Sequence, residues 1–355
     1  MQIKKHLVMN WFNRYFADPQ AFILLFLLIL AFGLIFFFGK ILAPVLAGIV
    51  IAYLLDGIVE RLCKWKLPRN PVVCIVFILF MALLMLTIIG LLPPLTRQIS
   101  QLLHDLPNML RLVQAELVKL PERFPEIITE EQVRTLINAI GVALAQAGQN
   151  LLGFSLASIK SLVSIIVYLV LVPLLVFFFL KDKFKIIDWI KGLLPDNLAL
   201  TTKVWVEVNQ QISNYVRGKI WEILILWSVS YIVFRFMGLK LALLVSFITG
   251  ISVIAPYIGV TVVYFPVALI AYFQWGIAYE TLYIIIAYSI IQIFDGNLLA
   301  PLLLSEVVNI HPIAIIVAVL IFGSLWGIWG LFFAIPLATL FNAVIRIFIH
   351  SHEST

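Results

Sequence analysis

What most constrains this chain is a series of apolar runs as long as a bilayer is thick. VVCIVFILFMALLMLTIIGLL at 72–92 carries no charged residue, and comparable runs recur at 21–38, 41–59, 158–180, 220–236 and 281–299. A helix needs roughly 20 such residues to cross the hydrocarbon core. Lipid offers no partner for backbone N–H and C=O groups, so uninterrupted runs of this kind fold as helices. Composition agrees: 63% of the residues are hydrophobic and 12% are charged, against roughly 25% charged in soluble domains. The chain is predicted to be an all-α polytopic membrane protein that lies in the lipid bilayer.

The runs divide the chain. Residues 1–93 hold three predicted transmembrane segments: 21–38, a turn at Gly39-Lys40 and a return over 41–59, then 72–92, ended by Pro93-Pro94. Residues 158–180 are a fourth, 181–219 an amphipathic segment, and 220–355 a C-terminal transmembrane transport region. Lys and Arg in short loops mark the cytoplasmic side. The 60–71 loop and the 181–219 segment each carry a net charge of +3. Both are expected inside, together with the basic N-terminal tail. The net charge of +6 therefore calls for no nucleic acid.

Residues 94–157 differ. Ile99, Leu103, Leu106, Leu110, Val113 and Leu117 recur at i, i+3 or i+4, and so do Val133, Leu136, Ile137, Ile140 and Leu144. Thr129 and Gln132 form a capping-box signature ahead of the second set. This is an amphipathic helical insertion, too polar to span. Its net charge over Thr96–Ser155 is −1, which fits the outer side. It is read as lying on the membrane or against a neighbouring subunit. A small globular domain is the other reading, although so few residues bury little core.

The C-terminal half is interrupted. Leu241–Phe273 is broken by APYIG at 255–259 and by Pro266; Ile313–Ile345 is broken by GSLWGIWG at 323–330 and by Pro336. Each reads as a re-entrant hairpin or a discontinuous helix, or else as one proline-kinked span or two full spans with a tight turn. Two such segments flanking one span suggest a repeated layout, which transporters use to build midplane sites. Counting each as one span gives about eight transmembrane segments, with both termini cytoplasmic.

Between them lies IQIFDGNLLAPLLLSEVVNIHP, Ile291–Pro312. It places Gln292, Asp295, Asn297, Glu306 and His311 beside the helix breakers Gly296, Pro301 and Pro312. A charge at membrane depth is costly unless it faces a cavity or a partner. The stretch therefore reads as a broken helix lining something polar, or else as an interfacial loop between two spans. Pro256, lacking an N–H, frees a carbonyl, and Gly259 permits close backbone approach. Gly323, Gly327 and Gly330 suit close helix packing.

Motifs of soluble enzymes are missing. Gly148 to Ser155 has the glycine spacing of a P-loop but places Phe154 where the phosphate-binding Lys belongs. An intramembrane aspartyl protease would need a second aspartate facing Asp295, and only Asp56 is available. Cys63 and Cys74 form no CxxC. Neither an enzyme nor a cofactor is expected.

SVIAPYIGVTVVYFPVA, IQIFDGNLLAPLLLSEVVNIHP and IFGSLWGIWGLFFAIPLATL, in that order, resemble the autoinducer-2 exporter family of bacterial permeases. LVPLLVFFFLKDK and NQQISNYVRGK extend the resemblance over nearly the whole chain. It implies a permease of the bacterial inner membrane, assembled as a homo-oligomer. Such a protein exports a small polar solute or exchanges a cation for protons. The positions that match its motifs include Pro256, Tyr257, Gly259, Asp295, Asn297, His311, Gly323, Gly327 and Gly330. A non-transporting scaffold or sensor acting through 94–157 is the alternative.

Overall fold

The computed structural model of the chain describes residues 19–123, 129–139, 158–192, 199–256, 258–304 and 311–350, with isolated positions at 125, 141, 142 and 146. No strand occurs among them. The principal helices are α1 (Pro19–Cys63), α2 (Arg69–Val118), α3 (Ser158–Lys181), α4 (Lys183–Gly192), α5 (Ala199–Phe236), α6 (Ala242–Ser252), α7 (Ile258–Trp275), α8 (Tyr279–Phe294), α9 (Ala300–Leu304), α10 (Pro312–Trp326) and α11 (Ile328–His350). Among the described residues, four helices are long and apolar enough to cross a membrane: Ile41–Cys63, Arg69–Val118, Ile258–Trp275 and Tyr279–Leu304. Shorter apolar helices accompany them, as in Val167–Lys181 and Ile313–Trp326. The chain is an all-α polytopic membrane protein.

Three expected interruptions are bridged by helix. α1 runs unbroken through Gly39, Lys40 and Pro44 for 45 residues, a length of about 68 Å. The hairpin expected at Gly39-Lys40 is absent, and with it the basis for placing the N-terminal tail on the same side as the 60–71 loop. α2 runs through Pro93, Pro94 and Pro107 for 50 residues. A proline removes one backbone donor, but in lipid the surrounding groups have no other partner than the helix itself. The nearby hydroxyls serve other carbonyls: Thr87 donates to that of Leu83 at 2.8 Å and Thr96 to that of Pro93 at 2.9 Å, whereas the prolines free those of Ile89 and Gly90. The amphipathic segment before 219 and the span after it are likewise one helix, α5.

The predicted amphipathic pattern over 99–117 is thus the distal part of α2. The start of this part packs within the chain: Leu95, Ile99 and Leu102 meet the core formed by Phe234, Val245, Val263 and Ile284. The Gln98 side-chain oxygen accepts from the Leu244 N–H at 2.8 Å, fixing α2 to the first turn of α6. The capping box forms as predicted. The Thr129 N–H donates to the Gln132 side chain at 3.1 Å, and the Gln132 N–H donates to the Thr129 hydroxyl at 3.4 Å.

The two interrupted segments are true helix pairs. α6 ends at Ser252, and α7 begins at Ile258 after turns over 253–256. The far end of α7 returns to the start of α6, where Gln274 donates to the Gly238 carbonyl at 2.7 Å and accepts from the Lys240 N–H at 2.6 Å. Leu241–Phe273 is therefore a helical hairpin and not one kinked helix. α10 and α11 pack along one another about Gly327, whose φ of 60° favours glycine. α5 is the spine between the pairs: Phe234 near its C-terminus lies in the core of the first, Tyr215 and Val216 in the core of the second.

Both pairs use the same close contact. A Cβ on Gly259 would overlap the carbonyl oxygen of Ser252, and one on Gly330 would overlap that of Phe322. Gly323 faces Leu331 at the same crossing. Gly323 and Gly330 lie at this crossing, and Gly327 lies at the turn between α10 and α11.

Candidate functional site

The helix expected to be broken at Asp295-Gly296 is widened instead. Asp295–Leu299 forms a π-helical turn between α8 and α9, closed by the Ala300 N–H on the Asp295 carbonyl. Pro301 follows at once. In a regular α-helix its ring would meet the Asn297 carbonyl, which its missing N–H would also leave unbonded. A π turn shifts that register by one residue, and such turns recur at functional sites. The Asn297 amide folds back onto its own helix, donating to the Ile293 carbonyl at 2.8 Å.

This turn faces a cavity of about 660 Å³. The tip of the first hairpin lines it through Val253, Pro256 and Val260, α8 through Gln292, the π turn through Asp295, and the second pair through Ile315 and Ile335. Gln292 is 8% exposed and Asp295 5%. Within the chain, the Asp295 Oδ1 and both polar atoms of the Gln292 amide lack a hydrogen-bond partner. The Tyr288 hydroxyl lies close to Gln292 but donates to the Val260 carbonyl at 3.0 Å. A buried polar group left unsatisfied costs about 1–3 kcal/mol. Three such atoms, the Asp295 Oδ1 and both polar atoms of the Gln292 amide, belong to residues that line this one cavity.

α5 brings the remaining charge. The Lys219 ammonium lies 2.7 Å from the Glu222 carboxylate, with each side chain 3% exposed. It also donates to the Val253 carbonyl at 2.9 Å. Val253 is the C-cap of α6, so the lysine serves a carbonyl that the hairpin break sets free. Removing one member of a buried pair strands the other charge, typically at about 3–5 kcal/mol. Lys219 and Glu222 do not stand out in the sequence: Lys219 closes the basic 181–219 segment, and Glu222 lies near the start of the 220–236 run. Their i, i+3 spacing next to NQQISNYVRG was the available signal.

Of the residues singled out from sequence, Pro256, Gln292 and Asp295 converge on the cavity. Gly259 acts one turn away through its packing, and Asn297 is exposed on the other side of the π turn. His311 is exposed as the N-cap of α10, its Nδ1 accepting from the Ile313 N–H at 3.3 Å. Tyr257 and Glu306 lie outside the described residues. Asp56 belongs elsewhere, in an ion cluster joining α1, α2 and α4, where it holds Arg69 at 2.7 Å and Lys183 at 2.5 Å.

A multi-pass helical bundle whose hairpin tip, widened helix and buried charges meet at one cavity has the layout of a membrane transporter. Comparison with known proteins agrees. The family model described as "AI-2E family transporter" matches residues 24–349, and the chain belongs to this family. It is 43% identical to the "Putative permease PerM" of Escherichia coli K12, over 96% of each chain. It is 26% identical to the "Putative transport protein YueF" of Bacillus subtilis, over 87% of this chain and 84% of that one. It is 22% identical to the "AI-2 transport protein TqsA" of Escherichia coli K12, over 85% of this chain and 84% of that one.

Proposed function

We propose that the chain is a secondary transporter of a bacterial inner membrane, with the cavity at Asp295 as the place where solute or ion is handled. The observation that carries this reading is the unpartnered carboxyl of Asp295, 5% exposed, facing the tip of a helical hairpin. A carboxyl held without a partner at such a place exchanges a proton or a cation with whatever enters. The cargo is a small polar solute moved outward, or a monovalent cation exchanged for protons. The name of TqsA makes autoinducer-2 the first solute to try.

The basic 60–71 and 181–219 segments face the cytoplasm in this reading, and the C-terminus with them. The family resemblance implies an assembly of identical subunits. Exposed apolar side chains of α2, among them Ile75, Ile78, Leu83 and Leu86, provide surface for a neighbour or for lipid.

The test is flux in reconstituted vesicles. One set carries an internal pH dye and receives Na⁺, K⁺ or Li⁺ gradients; a second is loaded with autoinducer-2 and given a pH gradient. Asp295→Asn keeps the shape and removes the charge. It should abolish the ion or pH dependence while the protein still assembles. Unchanged dependence in the variant would reduce Asp295 to a structural residue of the π turn.

A further inference from the structure

The charges at this cavity have a count. Among the described residues that line it, the titratable groups are Lys219 and Glu222 from α5 and Asp295 from the π turn. Among the described residues, neither helix pair contributes another. Lys219 is committed twice over, to the Glu222 carboxylate at 2.7 Å and to the Val253 carbonyl at 2.9 Å. Glu222 is thereby neutralised, and of the described acids Asp295 alone remains for an incoming species. We propose that Lys219 is a resident cation that sets the valence of the site. It fills the seat between Glu222 and the Val253 carbonyl, so that Asp295 takes one positive charge per occupancy and divalent ions are refused. The inference rests on reading this cavity as the transport site, and it assigns Lys219 a specificity-determining role.

The geometry favours a tethered ammonium over a free metal ion in that seat. Its two oxygen contacts are longer than the roughly 2.3–2.6 Å of Ca²⁺ and the roughly 2.0–2.1 Å of Mg²⁺. An ammonium also offers three donors in rotatable directions. Take the lysine away, and two carboxylates and one backbone carbonyl share a single cavity. Oxygen ligands with two negative charges are the donor set of a hard divalent cation.

The experiment measures Mn²⁺ binding to the purified protein in nanodiscs, read by electron paramagnetic resonance. Lys219→Met should bind one Mn²⁺ per chain at least about 10-fold more tightly than the native protein, a difference of about 1.4 kcal/mol. Lys219→Met combined with Glu222→Gln, or with Asp295→Asn, should return to the native level. Native protein that binds Mn²⁺ as tightly, and loses it with Asp295→Asn, overturns the proposal. So does a folded Lys219→Met protein no different from native.

If Lys219→Met fails to assemble, Glu222→Gln decides. It leaves the ammonium free to turn to Asp295 and should abolish monovalent exchange in vesicles; retained exchange overturns the proposal. The two readings fail separately. Flux indifferent to Asp295→Asn, with Mn²⁺ binding gained in Lys219→Met, sinks the transport site and keeps the charge seat. Flux dependent on Asp295, with no difference in Mn²⁺ binding, does the reverse.

Discussion

Single side chains here do two kinds of electrostatic work. Lys183 lies at the start of α4, outside the membrane-spanning segments, and ties Asp56 and Glu60 together at 2.5 and 3.1 Å. Burial opposes its charge, but hydrogen bonds and attraction to Asp56, then Glu60, outweigh that and hold its pKa above the ordinary 10.5. A raised ammonium pKa contributes its stability in full below the unfolded value and loses it as pH climbs through the folded one. The cluster should therefore be insensitive to pH between about 6 and 9. Lys183→Met should cost about 1–3 kcal/mol, between the exposed and buried cases, because Asp56 keeps Arg69. Thermal unfolding of the solubilised protein across that pH range checks both statements. At this scale the sequence was partly legible. Asp295 and Gln292 announced themselves by sitting between apolar runs. Lys219 did not, because its role depends on a carbonyl that no sequence pattern reveals.

At the scale of elements, glycine and proline proved ambiguous. Pro93-Pro94, Gly39-Lys40 and Gly296 look alike in sequence to APYIG and GSLWGIWG, yet only the last two interrupt the backbone. The difference is where the freed groups go. In lipid a helix breaks only where something else satisfies its backbone. At the end of α6 the Lys219 ammonium does so, and a long-range partner of this kind is invisible to local reading. At Pro93-Pro94 no substitute exists, so the helix carries on. The close crossings are testable. Gly259→Ala or Gly330→Ala would drive a methyl into a carbonyl oxygen and should lower the melting temperature markedly. Gly296→Ala, which meets nothing within 4 Å and replaces a poor helix former worth about 1 kcal/mol, should be neutral or stabilising. Similar losses in all three variants would show that the crossings are not tight in the membrane.

For the whole molecule, the bilayer-length runs identified the class at once, because few other folds tolerate them. The segment count did not follow so easily. α2 is about 75 Å long against a hydrocarbon core of about 30 Å, so its ends must emerge on opposite faces. With Cys63 and Cys74 replaced by serine, single cysteines at 64 and 122 should react with an impermeant maleimide from opposite sides, that at 122 from outside. Reaction of both from one side would rule out α2 as a crossing. The same scan bears on the α6–α7 hairpin. Gln274 bonds both Gly238 and Lys240, so the chain enters and leaves this hairpin through one face. It contributes an even number to the tally of crossings, whereas a hydropathy peak over 241–273 is scored as one. Cysteines at 239 and 277 should thus report the same side. Any topology counted from peaks alone has its parity reversed there, and assigns the loops on either side of α8 and α9 to the wrong compartment until the α10–α11 pair, miscounted in the same way, restores it.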